Sequence, residues 1–264
     1  MRVVSDHPVK MRDGSVGYIH NTGEATFAPI HERKEHPKPE VDWKKLWVEL
    51  RQENKLEWLE GLSRQLGVSY SSLVALDALW SRRHQAWAFP MKNGFGDIVG
   101  VRLRFKDGSK RSIFGSRNAL FLPEPVWEHK RLYVLEGPTD TASALTIGLN
   151  SVGRPSCSAG VFDIVTLCSR IHPTEVVVIA NNDPDRTDKG LPHNVGVVGA
   201  EVLAGYLPVR HCIITVPCKD TRRFIQEGGT AHMLESMVSS MVWCLPAYPQ
   251  CRTPATSGTN PSGL

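Results

Sequence analysis

From residue 131 onward the chain alternates short apolar runs with helix-length segments, and three of those runs lead into acids. Residues 131–135 are followed by Glu136, residues 175–180 by Asn181-Asn182-Asp183, and residues 209–216, after a short turn, by Lys219-Asp220. A further short strand is expected at Ser151-Val152, with helices near 139–147, 159–170, 197–207 and 220–227 and a last one at 230–241. Four strands alternating with helices predict an α/β fold: a small parallel sheet covered on both faces. In such sheets ligands bind at the carboxyl ends of the strands. Function is therefore sought where the acids are.

Glu136 comes directly after Leu132-Tyr133-Val134-Leu135, and Asp140 follows across Gly137-Pro138-Thr139. Gly137 lets the chain leave the strand sharply and Thr139 is expected to cap the next helix, which puts Asp140 in its first turn. An acid there is ordinarily a favourable dipole contact; Glu136 at a strand tip has no such ordinary explanation. The second run offers Asn181, Asp183 and Asp185 at alternate positions. A calcium loop would require Gly and Glu where this chain has Arg186 and Pro192, so that pattern is set aside. Asp220 opens a helix and by itself would be an N-cap. Gathered at one sheet edge, Glu136, Asp140, Asp183 and Asp220 would raise one another's pKa unless cations neutralised them. Mg²⁺ or Mn²⁺ is the expected cofactor.

The upstream half has a different pattern. Trp43, Leu46, Trp47 and Leu50, then Leu56, Leu59, Leu62 and Leu66, recur at helical spacing, and Gly67 is placed to end the second helix. Ser69 to Ser72 offer caps for a short helix expected to run through Leu73, Leu76 and Leu79. A β region follows at 86–90 and 98–105, with Asp107-Gly108 turning the chain into a strand from Lys110. In its middle strand Val101, Leu103 and Phe105 alternate with Arg102, Arg104 and Lys106, giving one apolar face and one row of cations. Between Arg102 and Arg131 eight Lys or Arg face three acids, although the whole chain carries only +4. That local excess would attract a phosphate backbone.

Hydrophobic content of 41% and charged content of 22% are ordinary for a globular protein. The six cysteines, Cys157, Cys168, Cys212, Cys218, Cys244 and Cys251, form no zinc-ligand spacing, so no zinc is expected and a reduced, cytoplasmic setting is. Neither a membrane-length apolar run nor a signal-peptide core is present, so no membrane partner is expected. Residues 1–40 are polar and glycine-bearing and read as a flexible arm; the tail, placed at 243–264, reads as disordered.

Three motifs carry a resemblance. Glu136-Gly137-Pro138-Thr139-Asp140, the acids after residue 180, and Lys219-Asp220 are similar in order and spacing to the three acidic motifs of the Toprim fold. Upstream, Leu66-Gly67-Val68-Ser69, Ala88-Phe89-Pro90-Met91, the run Ile98 to Arg104, and Lys110 through Phe114-Gly115-Ser116-Arg117 to Phe121 resemble the basic N-terminal lobe of the DnaG-type and phage-type primase (primase-helicase) core. The resemblance spans about residues 55–240. It implies a smaller α+β lobe at 41–124 ahead of a Toprim domain at 125–242, in a protein of phage, plasmid or mobile-element replication. It further implies synthesis of short RNA primers on single-stranded DNA from ribonucleotides, beside a separate replicative helicase, by two-metal phosphoryl transfer. Glu136 and Asp183 would be catalytic. Glu136, Asp140, Asp183, Asp185 and Asp220 would hold metal, and Arg102, Arg104, Lys110, Arg117 and Lys219 would contact nucleic acid or nucleotide.

Two departures open alternatives. The family's first acid of the second motif is Asn181 here, and the zinc ribbon is missing, since no Cys precedes Cys157. Residues 1–40 read as a remnant of that module, or the chain as a fragment of a longer primase-helicase. A catalytically weakened nucleic-acid-binding accessory of replication is the first alternative; a Toprim nuclease is the second.

Overall fold

The computed structural model describes residues 8–10, 16–18, 40–52, 54–184 and 194–246. The rest of the expected arm, Asp185 with the following loop as far as residue 193, and the tail from residue 247 lie outside the described residues. The chain separates into two units, residues 1–39 and 40–264. The first contributes an antiparallel pair, β1 (Pro8–Lys10) and β2 (Val16–Tyr18).

The second unit opens with α1 (Trp43–Gln52), a 3-10 turn (Leu56–Trp58), α2 (Leu59–Leu66) and α3 (Tyr70–Ala75). Gly67 ends α2 in the left-handed conformation at φ 64°, and the Ser69 hydroxyl caps α3 by accepting from the Ser72 N–H. The helix expected to continue through Leu79 stops at Ala75 instead. Asp77 adopts a positive φ and turns the chain, and Leu79 begins a strand. Four antiparallel strands then form a sheet in chain order: β3 (Leu79–Ser81), β4 (Ala86–Lys92), β5 (Ile98–Arg104) and β6 (Lys110–Ser112). Its two faces are unlike. Ala88, Val101 and Leu103 pack with Trp47 of α1, whereas Phe89 and Met91 join Leu62, Leu66 and Leu73 of α2 and α3.

The second sheet is parallel, ordered β10 (His211–Thr215), β9 (Val176–Ala180), β7 (Leu132–Glu136) and β8 (Ser151–Arg154). Its connections are α4 (Gly137–Thr146), α5 (Val161–Ile171) and α6 (Val195–Ala204), with α7 (Thr221–Gln226) and α8 (Ala231–Ser239) following. Buried Val134, Val176 and Val178 meet Ile164, Leu167 and Leu203 of α5 and α6, and Leu135, Val177 and Ile214 meet Phe224, Leu234 and Val238 of α7 and α8. Both faces are thus covered, as a parallel sheet requires.

Helix α4 joins the two sheets. Residues 137–144 are buried throughout, and Ala142 enters the core of α2 and α3. Such close packing suits its small side chains, whose hydroxyls bond back into the helix: Thr141 to the Gly137 carbonyl, Ser143 to that of Thr139 and Thr146 to that of Ala142. The strand-like segment after Asn118 adds a second link, because Leu120 pairs with Lys92 of β4 and Phe121 with Gly153 of β8. At the C-terminal side, Trp243 and Cys244 belong to the ordered structure although the tail was expected to include them. Cys244 pairs with His211, and the Arg210 guanidinium lies 4.6 Å from the Trp243 ring centre. Among the described residues no helix is long and apolar enough to cross a membrane.

Candidate functional site

The acid-bearing strand ends open onto a cleft of about 410 Å³ between the parallel sheet and the cationic face of the antiparallel one. Glu136 is the last residue of β7. The next residue, Gly137, has φ 78°, a conformation a side chain would strain, and it starts α4 at once. Thr139 consequently lies inside the helix and does not cap it. Asp140 falls in the first turn, buried at 6% exposure. Asp183 follows β9, where α6 approaches so closely that a Cβ on Gly196 would stand 2.4 Å from the Asn181 carbonyl oxygen. Asn194 caps that helix and donates to the Asn182 side chain, fastening the run. Asp220 caps α7, accepting from the Arg223 N–H at 2.8 Å.

Facing these four acids are Arg102 and Arg104 of β5, Lys110 of β6, and Lys219 and Arg222 beside Asp220. Five cations against four carboxylates make the cleft receptive to anions. Lys110 is exposed overall, yet it lines the cleft. Burial lowers the pKa of Lys110, and Asp140 opposes that shift. Arg104 is lowered by burial and then by Arg222, and Arg102 by burial.

The acids form two couples. Glu136 is raised above the ordinary carboxylate range by burial and then by Asp183, with Arg154 and Lys110 opposing. Asp140 is raised to about 7 by burial and then by Asp220, with Lys110 and Arg222 opposing. Among the described residues no group of three Asp, Glu, His or Cys side chains is placed to hold a metal ion. Carboxylates in pairs suit only a hard cation that keeps water and completes its shell with substrate phosphate oxygens, the usual habit of Mg²⁺. Asp140 yields a prediction. Its penalty is absent below the ordinary value of 3.8, grows toward about 7 and is complete above it. Asp140→Asn is expected to stabilise the metal-free protein above pH 7 by on the order of 2 kcal/mol, with the gain vanishing near pH 4. Denaturant midpoints in chelator at both pH values check this; an equal gain at both would refute it.

The cleft assembles eight of the expected residues, Arg102, Arg104, Lys110, Glu136, Asp140, Asp183, Lys219 and Asp220, together with Asn181. Arg117 lies elsewhere, with its Nη1 3.0 Å from Asp163 of α5. Asp185 lies outside the described residues. Two arginines were missed by sequence reasoning. Arg222 follows Asp220 closely enough to have been suspected. Arg154 could be found only from strand order: it ends β8 in register with Glu136, is 2% exposed, and donates through Nη1 to the carbonyls of Cys157 at 2.9 Å and Gly199 at 3.1 Å.

No family model and no curated protein matches the chain. Solved structures do. The E. coli primase catalytic core superposes with a TM-score of 0.55 at 14% identity, over 75% of this chain and 79% of that one. The fold is that of a primase catalytic core. A DnaG primase catalytic domain bound to single-stranded DNA gives 0.55 at 13% identity over 75% and 80% of the two chains. The primase fragment of the bacteriophage T7 primase-helicase gives 0.50 at 16% over 66% and 72%. The primase-core fold thus includes the four-stranded parallel Toprim sheet and the lobe before it.

Proposed function

We propose that the chain is a primase-like nucleotidyltransferase core that binds single-stranded DNA and ribonucleotides in the cleft and joins them into short RNA primers. The observation that carries this reading is the meeting of carboxylates from three parallel strand ends with the cationic face of a separate sheet. Phosphoryl transfer demands this pairing: acids to hold metal, and cations to hold phosphates. Glu136, Asp140, Asp183 and Asp220, with Asp185, would hold Mg²⁺ or Mn²⁺. When bound, such a cation neutralises phosphoryl oxygens and makes an attacking hydroxyl more acidic. Glu136, made more basic by burial and by Asp183, would accept that hydroxyl's proton. Arg104 and Lys110 would position template or triphosphate, with Arg102, Lys219 and Arg222 around them. Because the T7 neighbour is part of a primase-helicase, a separate helicase is the partner this reading calls for.

Asn181, in place of an acid, favours a second reading: an accessory that binds nucleic acid in the same cleft without catalysing transfer. Incubation with single-stranded template, labelled ribonucleotides and Mg²⁺ or Mn²⁺ separates the two. Primer-length product is expected. Binding without product under either metal would favour the accessory, and strand cleavage a nuclease. Arg104→Ala with Lys110→Ala is expected to weaken DNA binding and to flatten its salt dependence by about two in log–log slope; an unchanged slope would remove these residues from the interface.

A further inference from the structure

A second cavity, of about 570 Å³, opens on the antiparallel sheet and is walled by Trp58, Trp80 and Trp87 with Gln65, Arg82 and Lys106. Trp80 and Trp87 meet edge to face at 5.1 Å. The Lys106 ammonium lies 5.8 Å from the Trp80 ring centre, and the Arg82 guanidinium 5.2 Å from that of Trp58. These indoles are only half buried, unlike Trp47, which is sealed in the core. An aromatic wall rimmed by cations is complementary to a stacked base with its phosphate.

Strand register connects this cavity to the acid cleft. Trp80 pairs with Trp87, Trp87 with Arg104, and Arg104 with Lys110. Directly paired residues project from the same face of a sheet. One row therefore crosses the sheet from the tryptophan cavity to the two cations of the cleft, over three strand spacings, or ~14 Å. Arg104 lines the cleft, and two residues later Lys106 lines the cavity.

We propose that the tryptophan cavity is a base-stacking anchor for single-stranded nucleic acid leaving the cleft, with Arg82 and Lys106 holding the adjoining phosphates. This rests on the cleft being a nucleic-acid site. Two variants probe it without endangering the fold. A Cβ on Gly61, which lines the cavity, meets nothing within 4 Å, so Gly61→Leu fills the cavity while favouring helix α2. Lys106 is exposed, so Lys106→Glu reverses a rim charge.

Fluorescence anisotropy with labelled thymidine oligonucleotides reads the result. Each variant is expected to weaken a thymidine dodecamer by about tenfold and to leave a dinucleotide unaffected. Dodecamer quenching of tryptophan fluorescence should be lost in Gly61→Leu. Unchanged dodecamer affinity in both variants would overturn the anchor while leaving the cleft reading intact. Conversely, dodecamer binding that survives Lys219→Ala with Arg222→Ala but not Gly61→Leu would sink the cleft reading and keep the cavity. Thymidine monophosphate competing as strongly as the dodecamer would make the cavity a free-nucleotide site and overturn the strand inference.

Discussion

Glu136→Gln is expected to lower primer synthesis by ~100-fold or more while leaving the protein folded and able to bind DNA. The substitution keeps shape and removes one negative charge. In the metal-free protein that charge is unfavourable, since burial and Asp183 both push Glu136 toward its neutral form. Thermal stability in chelator should therefore hold or rise. What is lost is the carboxylate at the tip of β7 that the proposed function uses to share a metal or accept the proton of the attacking hydroxyl. Primer extension, anisotropy and melting on one preparation separate these effects. Near-parental synthesis would remove Glu136 from the chemistry; loss of synthesis together with loss of the folded state would show only that the residue is structural.

Arg154→Met carries the largest expected cost in stability, ~3 kcal/mol. The guanidinium is 2% exposed, and its Nη1 serves two backbone carbonyls, those of Cys157 and Gly199. Burial lowers its pKa and Glu136 counters the shift, yet an arginine stays charged in either case. Methionine would leave both carbonyls without this donor and remove the cation that offsets Glu136. Urea midpoints give the loss, and the double variant with Glu136→Gln isolates the charge contribution: part of the cost should be recovered, because the carboxylate that Arg154 balances is gone. A loss within experimental error for Arg154→Met would show that its contacts contribute nothing to the fold.

The alternation after residue 131 was enough to read the parallel sheet and its helices, because strands buried on both faces must be continuously apolar, and 176–180 is Val-Val-Val-Ile-Ala. The acids after them were legible for the same reason, since a charge ending a buried strand needs an explanation. Alternation in β5 likewise marked Arg102 and Arg104 as one face. Leu79 was misassigned because Leu73, Leu76 and Leu79 recur every three residues and so continue a helix on paper, whereas Asp77 turns the chain before it.

The sequence by itself thus determined most of the elements and which side of β5 is charged, since both depend on near neighbours along the chain. Only the tertiary structure decided the partners. Parallel order β9-β7-β8 sets Arg154 beside Glu136, helix α4 joins the two sheets, and antiparallel register lines Trp80 and Trp87 up with Arg104 and Lys110. Those pairings follow from how strands stack and how small residues allow close approach, and no local spacing records them. Arg117 shows the converse: a cation read as a nucleic-acid contact is drawn to Asp163 of a helix 46 residues away.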